Sequence, residues 1–216
     1  DNPTKCADSL RHLLVRQLSF RGDVDNYYSP ENASLSKVIE RRRGMPILLS
    51  SIWIEVGRSA GIEIDGIGMP GHFIARIGGA GGALVDPFSG GCRISIKQCE
   101  HIVDRLSGRA LPWNDAYLEP IGSAAIIDRV LRNLCHAFRR ADDLHGLFKA
   151  TRFHAQLRPE DPDPMLLHAC VAEEIGAYKR ADQLYREVSV NHPDTPQSVA
   201  ASRRLERLAS HAQSVH

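Results

Sequence analysis

His72 and Asp86 are the residues of this chain best placed to do chemistry. His72 follows Pro70-Gly71 and opens the apolar run Phe73-Ile74-Ala75, and Asp86 closes the run Ala83-Leu84-Val85 ahead of Pro87-Phe88. A carboxylate that holds one imidazole nitrogen leaves the other free to take a proton from a nucleophile or from water. The same two residues would serve equally as a buried hydrogen-bonded pair that ties two strands together. A nucleophile for such a base has to come from a third, chain-distant element. The stretch Gly44-Met45-Pro46-Ile47-Leu48-Leu49-Ser50-Ser51 reads as the opening of a helix, with proline at its first turn. Ser50 lies one turn beyond Pro46 on the same face, and Ser51 is beside it. Both are also small residues of the kind that let a central helix pack closely. Cys92, just after Gly90-Gly91, is the thiol nearest to Asp86 along the chain, but it would approach from a strand.

The elements that must bring these points together are written in the periodicity. Leu10, Leu13, Leu14 and Leu18 recur at the spacing of one helical face and predict a short helix over 9–17. Turn formers and aromatics over 23–32 predict an ordered connection to a helix over 34–42, with Leu35, Val38 and Ile39 inward and Gly44 at its end. From Ile47 to Ala60 the chain is apolar on nearly every side, the mark of a buried central helix. The period then changes. Ile62, Ile64, Ile67, the run Phe73–Ile77, a glycine-rich loop over 78–82 and Ala83–Val85 predict a small antiparallel sheet. Strand alternation over 93–96, a short helix over 99–106 and an irregular stretch over 111–121 follow. The loop Gly78-Gly79-Ala80-Gly81-Gly82 lacks the Lys-Ser/Thr ending and following helix of a phosphate loop, so it is read as a hairpin connection.

From Ala124 onward the pattern is helical throughout. Pro159 and Pro193, Pro162 and Pro196, and Glu160 and Asp194 are each 34 residues apart, the period of the tetratricopeptide repeat, a helical hairpin closed by a proline-containing turn. Gly176-Ala177-Tyr178, followed by Ala181, Leu184 and Tyr185, fits the turn and second helix of such a unit. An ordinary helical bundle would supply the helices without the interval.

Composition narrows the function classes. A formal net charge of +1 over 216 residues gives no basic excess for nucleic acid, and the dense run Arg41-Arg42-Arg43 is read as the solvated end of a helix. No apolar run reaches the ~18 residues of a membrane span. The five cysteines, Cys6, Cys92, Cys99, Cys135 and Cys170, are scattered without a C-x-x-C pair; this predicts free thiols and a cytoplasmic setting rather than a disulfide framework. Cys92, Cys99 and His101 lack zinc-pair spacing, so neither metal nor cofactor is expected. The chain begins at Asp1 without a methionine, which reads as a trimmed chain or a renumbered fragment.

The chain resembles the SirB-type family, in which a transglutaminase-like domain is joined to C-terminal tetratricopeptide repeats. The resemblance is carried by Asn32-Ala33-Ser34-Leu35, Val38, Arg41 to Arg43, Gly44 to Ser50, Gly61, Pro70-Gly71-His72-Phe73, Asp86-Pro87-Phe88 and Gly90-Gly91, and it extends over nearly the whole chain. It implies an α+β fold: a papain- or transglutaminase-like domain over 1–122, then an all-α repeat domain over 123–216. In transglutaminase-like domains the central helix opens with Gly-x-Cys. Here Gly44-Met45-Pro46 sets proline at the thiolate's place, so the resemblance implies His72 and Asp86 as a relict or water-activating pair. Two functions follow. One is a non-catalytic protein that binds a protein or peptide partner. The other is an amide-processing hydrolase or transferase that uses the pair with Ser50, Ser51, Cys92 or water.

Overall fold

The computed structural model describes residues 2–214, which divide into two compact units, 1–130 and 131–216. In the first unit, α1 (Pro3–Arg11) is capped by the Asn2 side chain, which accepts from the backbone N–H groups of Thr4 and Lys5. It runs directly into a π-helical turn, His12–Gln17. That wider turn breaks the expected face: Leu10 and Leu14 are buried, but Leu13 and Leu18 are 38% and 39% exposed. Two short strands, β1 (Arg21–Gly22) and β2 (Arg43–Gly44), pair in parallel and bracket α2 (Leu35–Arg41). Of the three residues expected to face inward on α2, only Val38 is buried, pressed against Gly44, while Leu35 and Ile39 lie exposed.

The centre of the unit is α3 (Pro46–Ser59), which starts at Pro46 and buries Ile47, Leu48, Leu49, Trp53 and Ile54. Behind it an antiparallel meander runs in the order β3 (Ile64–Ile67), β4 (Ile74–Ile77), β5 (Ala83–Asp86) and β6 (Cys92–Arg93). Gly91, in the left-handed region at φ 66°, lies under Trp53: a Cβ there would fall 2.5 Å from the indole. The strand expected over 93–96 stops at Arg93, because Ser95 and Gln98 form a reciprocal capping box that starts α4 (Ile96–Leu106) three residues earlier than the expected Cys99.

Helix α5 (Ser123–Arg140) begins in the first unit and ends in the second. Its first turns pack on the first unit: Ile126 comes up against Gly66, and Arg129 against Gly68. The second unit continues through α6 (Leu144–Leu157), α7 (Pro162–Glu174), α8 (Tyr178–Asn191) and α9 (Pro196–Ser214), and the regular structure described from residue 131 is all helical. Its geometry repeats at an interval of 34. The ends of α5 and α7, both ends of α6 and α8, and the starts of α7 and α9 are all offset by that number. The loops obey it too. Asp142 and Gly176 both take positive φ, 55° and 75°. The N–H of Asp143 reaches the Phe138 carbonyl at 3.0 Å, and that of Ala177 reaches the Ala172 carbonyl at 2.9 Å; each is the longer bond of a Schellman stop. Buried positions follow suit, with Cys135 matching Ala169, Leu147 matching Ala181, and Thr151 matching Tyr185.

A buried imidazole makes this second unit sensitive to acid. His168, on α7, is 3% exposed and lies 3.0 Å from the Thr151 hydroxyl and 4.6 Å from the Phe148 ring centroid. Burial, with the Arg180 and Arg152 charges adding to it, pushes its pKa down to about 4. Between the ordinary value of 6.5 and about 4 the unfolded chain binds a proton that the native chain refuses, so stability falls as pH drops through that window. Urea midpoints at pH 7.5 and 4.5 should differ less for His168→Gln than for the unaltered chain. Equal differences would show that His168 does not carry the effect.

Candidate functional site

His72 and Asp86 meet across β4 and β5. The turn Met69-Pro70-Gly71-His72 is closed by a 3.2 Å bond from the His72 N–H to the Met69 carbonyl, with Gly71 at φ 73°, the type II arrangement that proline followed by glycine favours. It delivers the imidazole to the end of β5, where His72 Nε2 lies 2.9 Å from Asp86 Oδ2. The pair is 9% and 2% exposed. Asp86 is also held by its own loop: Oδ1 accepts the N–H groups of Phe88 at 3.0 Å and Ser89 at 3.2 Å, and Oδ2 accepts the Ser89 hydroxyl at 2.8 Å. Burial alone would raise the carboxyl's pKa, but the His72 and Ser89 hydrogen bonds outweigh it and hold it below the ordinary carboxylate value. The carboxylate can only accept, so Nε2 carries the proton. Nδ1 takes no hydrogen bond among the described residues. In the neutral imidazole that nitrogen is the acceptor, the tautomer a general base uses.

The nucleophile candidates do not join this pair. Pro46 is buried at the first turn of α3. The Ser50 hydroxyl is fully buried and donates to the Phe73 carbonyl at 3.3 Å, and the Ser51 hydroxyl donates to the Ile47 carbonyl at 2.8 Å. Cys92 pairs with Asp86 through the backbone, yet its thiol is exposed and lies 3.7 Å from the Arg11 guanidinium. Cys99, on α4, is fully buried; burial first, and the charge of Asp86 second, push its pKa up to about 11, so it stays a thiol. All five cysteines are free. Among the described residues no cluster of His, Cys, Asp and Glu is placed to hold a metal ion, and no helix is long and apolar enough to cross a membrane.

Several further residues shape the site. Gly22 on β1 donates its N–H to the Phe88 carbonyl at 3.1 Å, and a Cβ on it would meet the Phe88 ring at 2.6 Å. The Phe88 ring stands edge-on to both His72 and Tyr27, at centroid distances of 6.2 and 5.8 Å. The loop that leads into α3 is fixed by a polar network: Arg41 reaches Asp23 at 3.1 Å and Asn32 Oδ1 at 3.0 Å, and the Asn32 carbonyl accepts the Met45 N–H at 3.1 Å. Arg42 stacks over Phe20 at 4.8 Å. The basic run is therefore built into the fold and is not the solvated helix end that its sequence suggests. Turn-former composition over 23–32 was the only sign of Asp23, Asn32 was marked besides only by the resemblance, and Arg129, whose guanidinium reaches the His72 carbonyl at 2.9 Å, gave none.

Asp86→Ala would strand the His72 N–H and the loop amides, and should cost about 2–4 kcal/mol near neutral pH. Because the native carboxyl's pKa lies below the ordinary value, its contribution is complete above that value and fades as pH falls through the native one. The gap between Asp86→Ala and the unaltered chain in denaturant titrations should accordingly narrow at strongly acid pH. A gap that is constant down to the acid limit would contradict the assignment.

Comparison with known proteins places a family on the first part of the chain. Residues 1–132 match the transglutaminase-like superfamily domain. A UPF0162 protein of Xylella fastidiosa (strain Temecula1) is 34% identical over 221 residues, which cover 97% of this chain and 77% of the relative. A UPF0162 protein of Vibrio cholerae is 21% identical over 208 residues, covering 95% and 77%. F-box only protein 21 of Mus musculus is 31% identical over 183 residues, 79% of this chain but 28% of that longer protein. No solved structure matches the chain. On the match over its first 132 residues, the chain belongs to the transglutaminase-like superfamily.

Proposed function

We propose that this chain is a non-catalytic, SirB-type transglutaminase-like protein that binds a protein or peptide partner. In this reading the domain over 1–122 keeps His72 and Asp86 as a relict pair, and the helices over 123–216 are tetratricopeptide hairpins working in the cytoplasm. The observation that carries it is the fate of the hydroxyls: Ser50 and Ser51 donate to backbone carbonyls, Ser89 donates to Asp86, and among the described residues no hydroxyl or thiol is hydrogen-bonded to the His72 ring. The interval of 34 in helix ends and loop bonds supports the repeat assignment. Stacked hairpins of that kind present surfaces suited to extended peptides. The likeness to part of F-box only protein 21, a much longer chain, fits a module that acts alongside others.

A second reading rests on the open Nδ1. With Asp86 anionic and Nε2 protonated, His72 could draw a proton from a bound water and hydrolyse an amide without a protein nucleophile.

One set of measurements separates them. The purified chain should turn over peptide anilides and γ-glutamyl amides no faster than buffer, with His72→Ala no different, and native lysate passed over immobilised chain should yield a specific partner. Turnover lost in His72→Ala would establish the second reading. Pro46→Cys tests the relict geometry: alkylation against pH should show a thiol titrating below the ~8.5 of a free cysteine. A folded variant whose thiol titrates at the ordinary value would mean that position 46 does not face the pair.

A further inference from the structure

We propose that Arg129 is the positioning residue of the His72 site, so that the site is complete only with the first turns of α5. The proposal rests on the reading of His72 and Asp86 as the functional pair. Arg129 Nη2 donates to the Met69 carbonyl at 2.8 Å and to the His72 carbonyl at 2.9 Å, and the guanidinium lies 5.6 Å from the Phe73 ring centroid. Those two carbonyls are the first and last of the turn that presents His72. Met69, fully buried, already accepts the His72 N–H, and the guanidinium adds a second, charge-assisted donor to the same oxygen. Next to the turn, Phe73 is 1% exposed and Ile74 fully buried, so carbonyls that lost this donor would have little water to replace it.

His72 is thereby fixed twice. Asp86 holds the ring through Nε2, and Arg129 holds the backbone from the other side of the residue. A ring tethered only at Nε2 can still swing about that bond, and the direction of Nδ1, the nitrogen left for a ligand or a proton, would swing with it. Arginine suits this position because the two N–H donors of Nη2 serve one carbonyl each while the face of the planar group covers an aromatic ring. A lysine has the donors but not the face. The functional unit therefore extends past residue 122 to include Arg129.

The test uses the full chain and reads the His72 Nε2–H signal by NMR, through its solvent-exchange rate at a temperature well below unfolding. Arg129→Gln should speed that exchange at least tenfold, and Arg129→Lys should do so by an intermediate factor. Leu10→Ala, a core truncation in the same unit where Leu10 packs by Gly57 near the end of α3, serves as comparator and should leave the rate within twofold even where it lowers the melting temperature as much. An unchanged rate in folded Arg129→Gln overturns the proposal, as does an equal acceleration in Leu10→Ala. If Arg129→Gln does not fold, the Arg129→Lys rate decides in the same way. Exchange reports the geometry of the bond and not turnover or partner binding, so a failure of the functional reading would leave this result standing and recognisable.

Discussion

A buried carboxylate must be satisfied on every side or it will not stay charged, and Asp86 meets that demand by organising the first unit around itself. At 2% exposure it accepts from the backbone of Phe88 and Ser89, from the Ser89 hydroxyl and from His72. The Asx-type bonds bend the chain just after β5, and the bend sets Phe88 where its carbonyl receives the Gly22 N–H. Gly22 lies on β1, β1 pairs with β2, and β2 ends one residue before the helix-leading step Met45-Pro46. One anion thus links the sheet, the imidazole and the start of the central helix. Losing it would leave several donors buried without partners, at a cost of several kcal/mol, which is why the pair is structurally necessary whether or not it performs chemistry.

What the sequence made legible was local. Pro70-Gly71 announces a turn whatever surrounds it, Asp86-Pro87 announces a strand end, and a run such as Ile47–Ile54 can only be interior. The meeting of His72 with Asp86 follows once two adjacent strands are granted. What stayed hidden depends on tertiary choice. Apolar spacing could not say that a π-helical turn would rotate Leu13 and Leu18 outward, or that α2, one short helix, would bury Val38 alone. The Ser95-x-x-Gln98 capping box was present in the letters, but it lost to an apparent strand alternation at Arg93 to Ile96. The arginine run looked like a solvated helix end because composition does not show Asp23 and Asn32, buried and waiting for Arg41. Arg129 gave no sign at all. It reaches a turn some sixty residues back in sequence, and such a partnership has no period.

The second unit builds one geometry twice from different residues. Its two loops make the same pair of stop bonds with different residues, Asp142 in one and Gly176 in the other, since glycine and aspartate are both among the residues that tolerate the left-handed conformation. Inside, the matching positions hold Cys135 and Ala169, Leu147 and Ala181, Thr151 and Tyr185: different volumes in the same place. The larger Tyr185 brings a hydroxyl that must be satisfied, and Glu173 accepts it at 2.6 Å while also receiving Arg204. Thr151 meets His168 instead. Geometry at the helix stops is therefore kept more strictly than the chemistry of the interior, because a stop fixes where the next helix points and a core position needs only to be filled.

Proline at position 46 bears on what the first unit can do. A helix N-terminus activates a thiol through its free N–H groups and its dipole, and a proline there preserves the helix start while removing both the side-chain nucleophile and one of the donors. The hydroxyls nearest along α3 cannot take over: Ser50 has no solvent exposure and bonds to the strand behind it, and Ser51 bonds to its own helix. Recruiting either would mean turning a packed central helix, and Trp53, wedged against Gly91, resists that rotation. The site is thus rigid where an enzyme would need its nucleophile, and open only at one imidazole nitrogen. In the proposed binding role, the imidazole nitrogen without a partner among the described residues is the group left to hold a ligand.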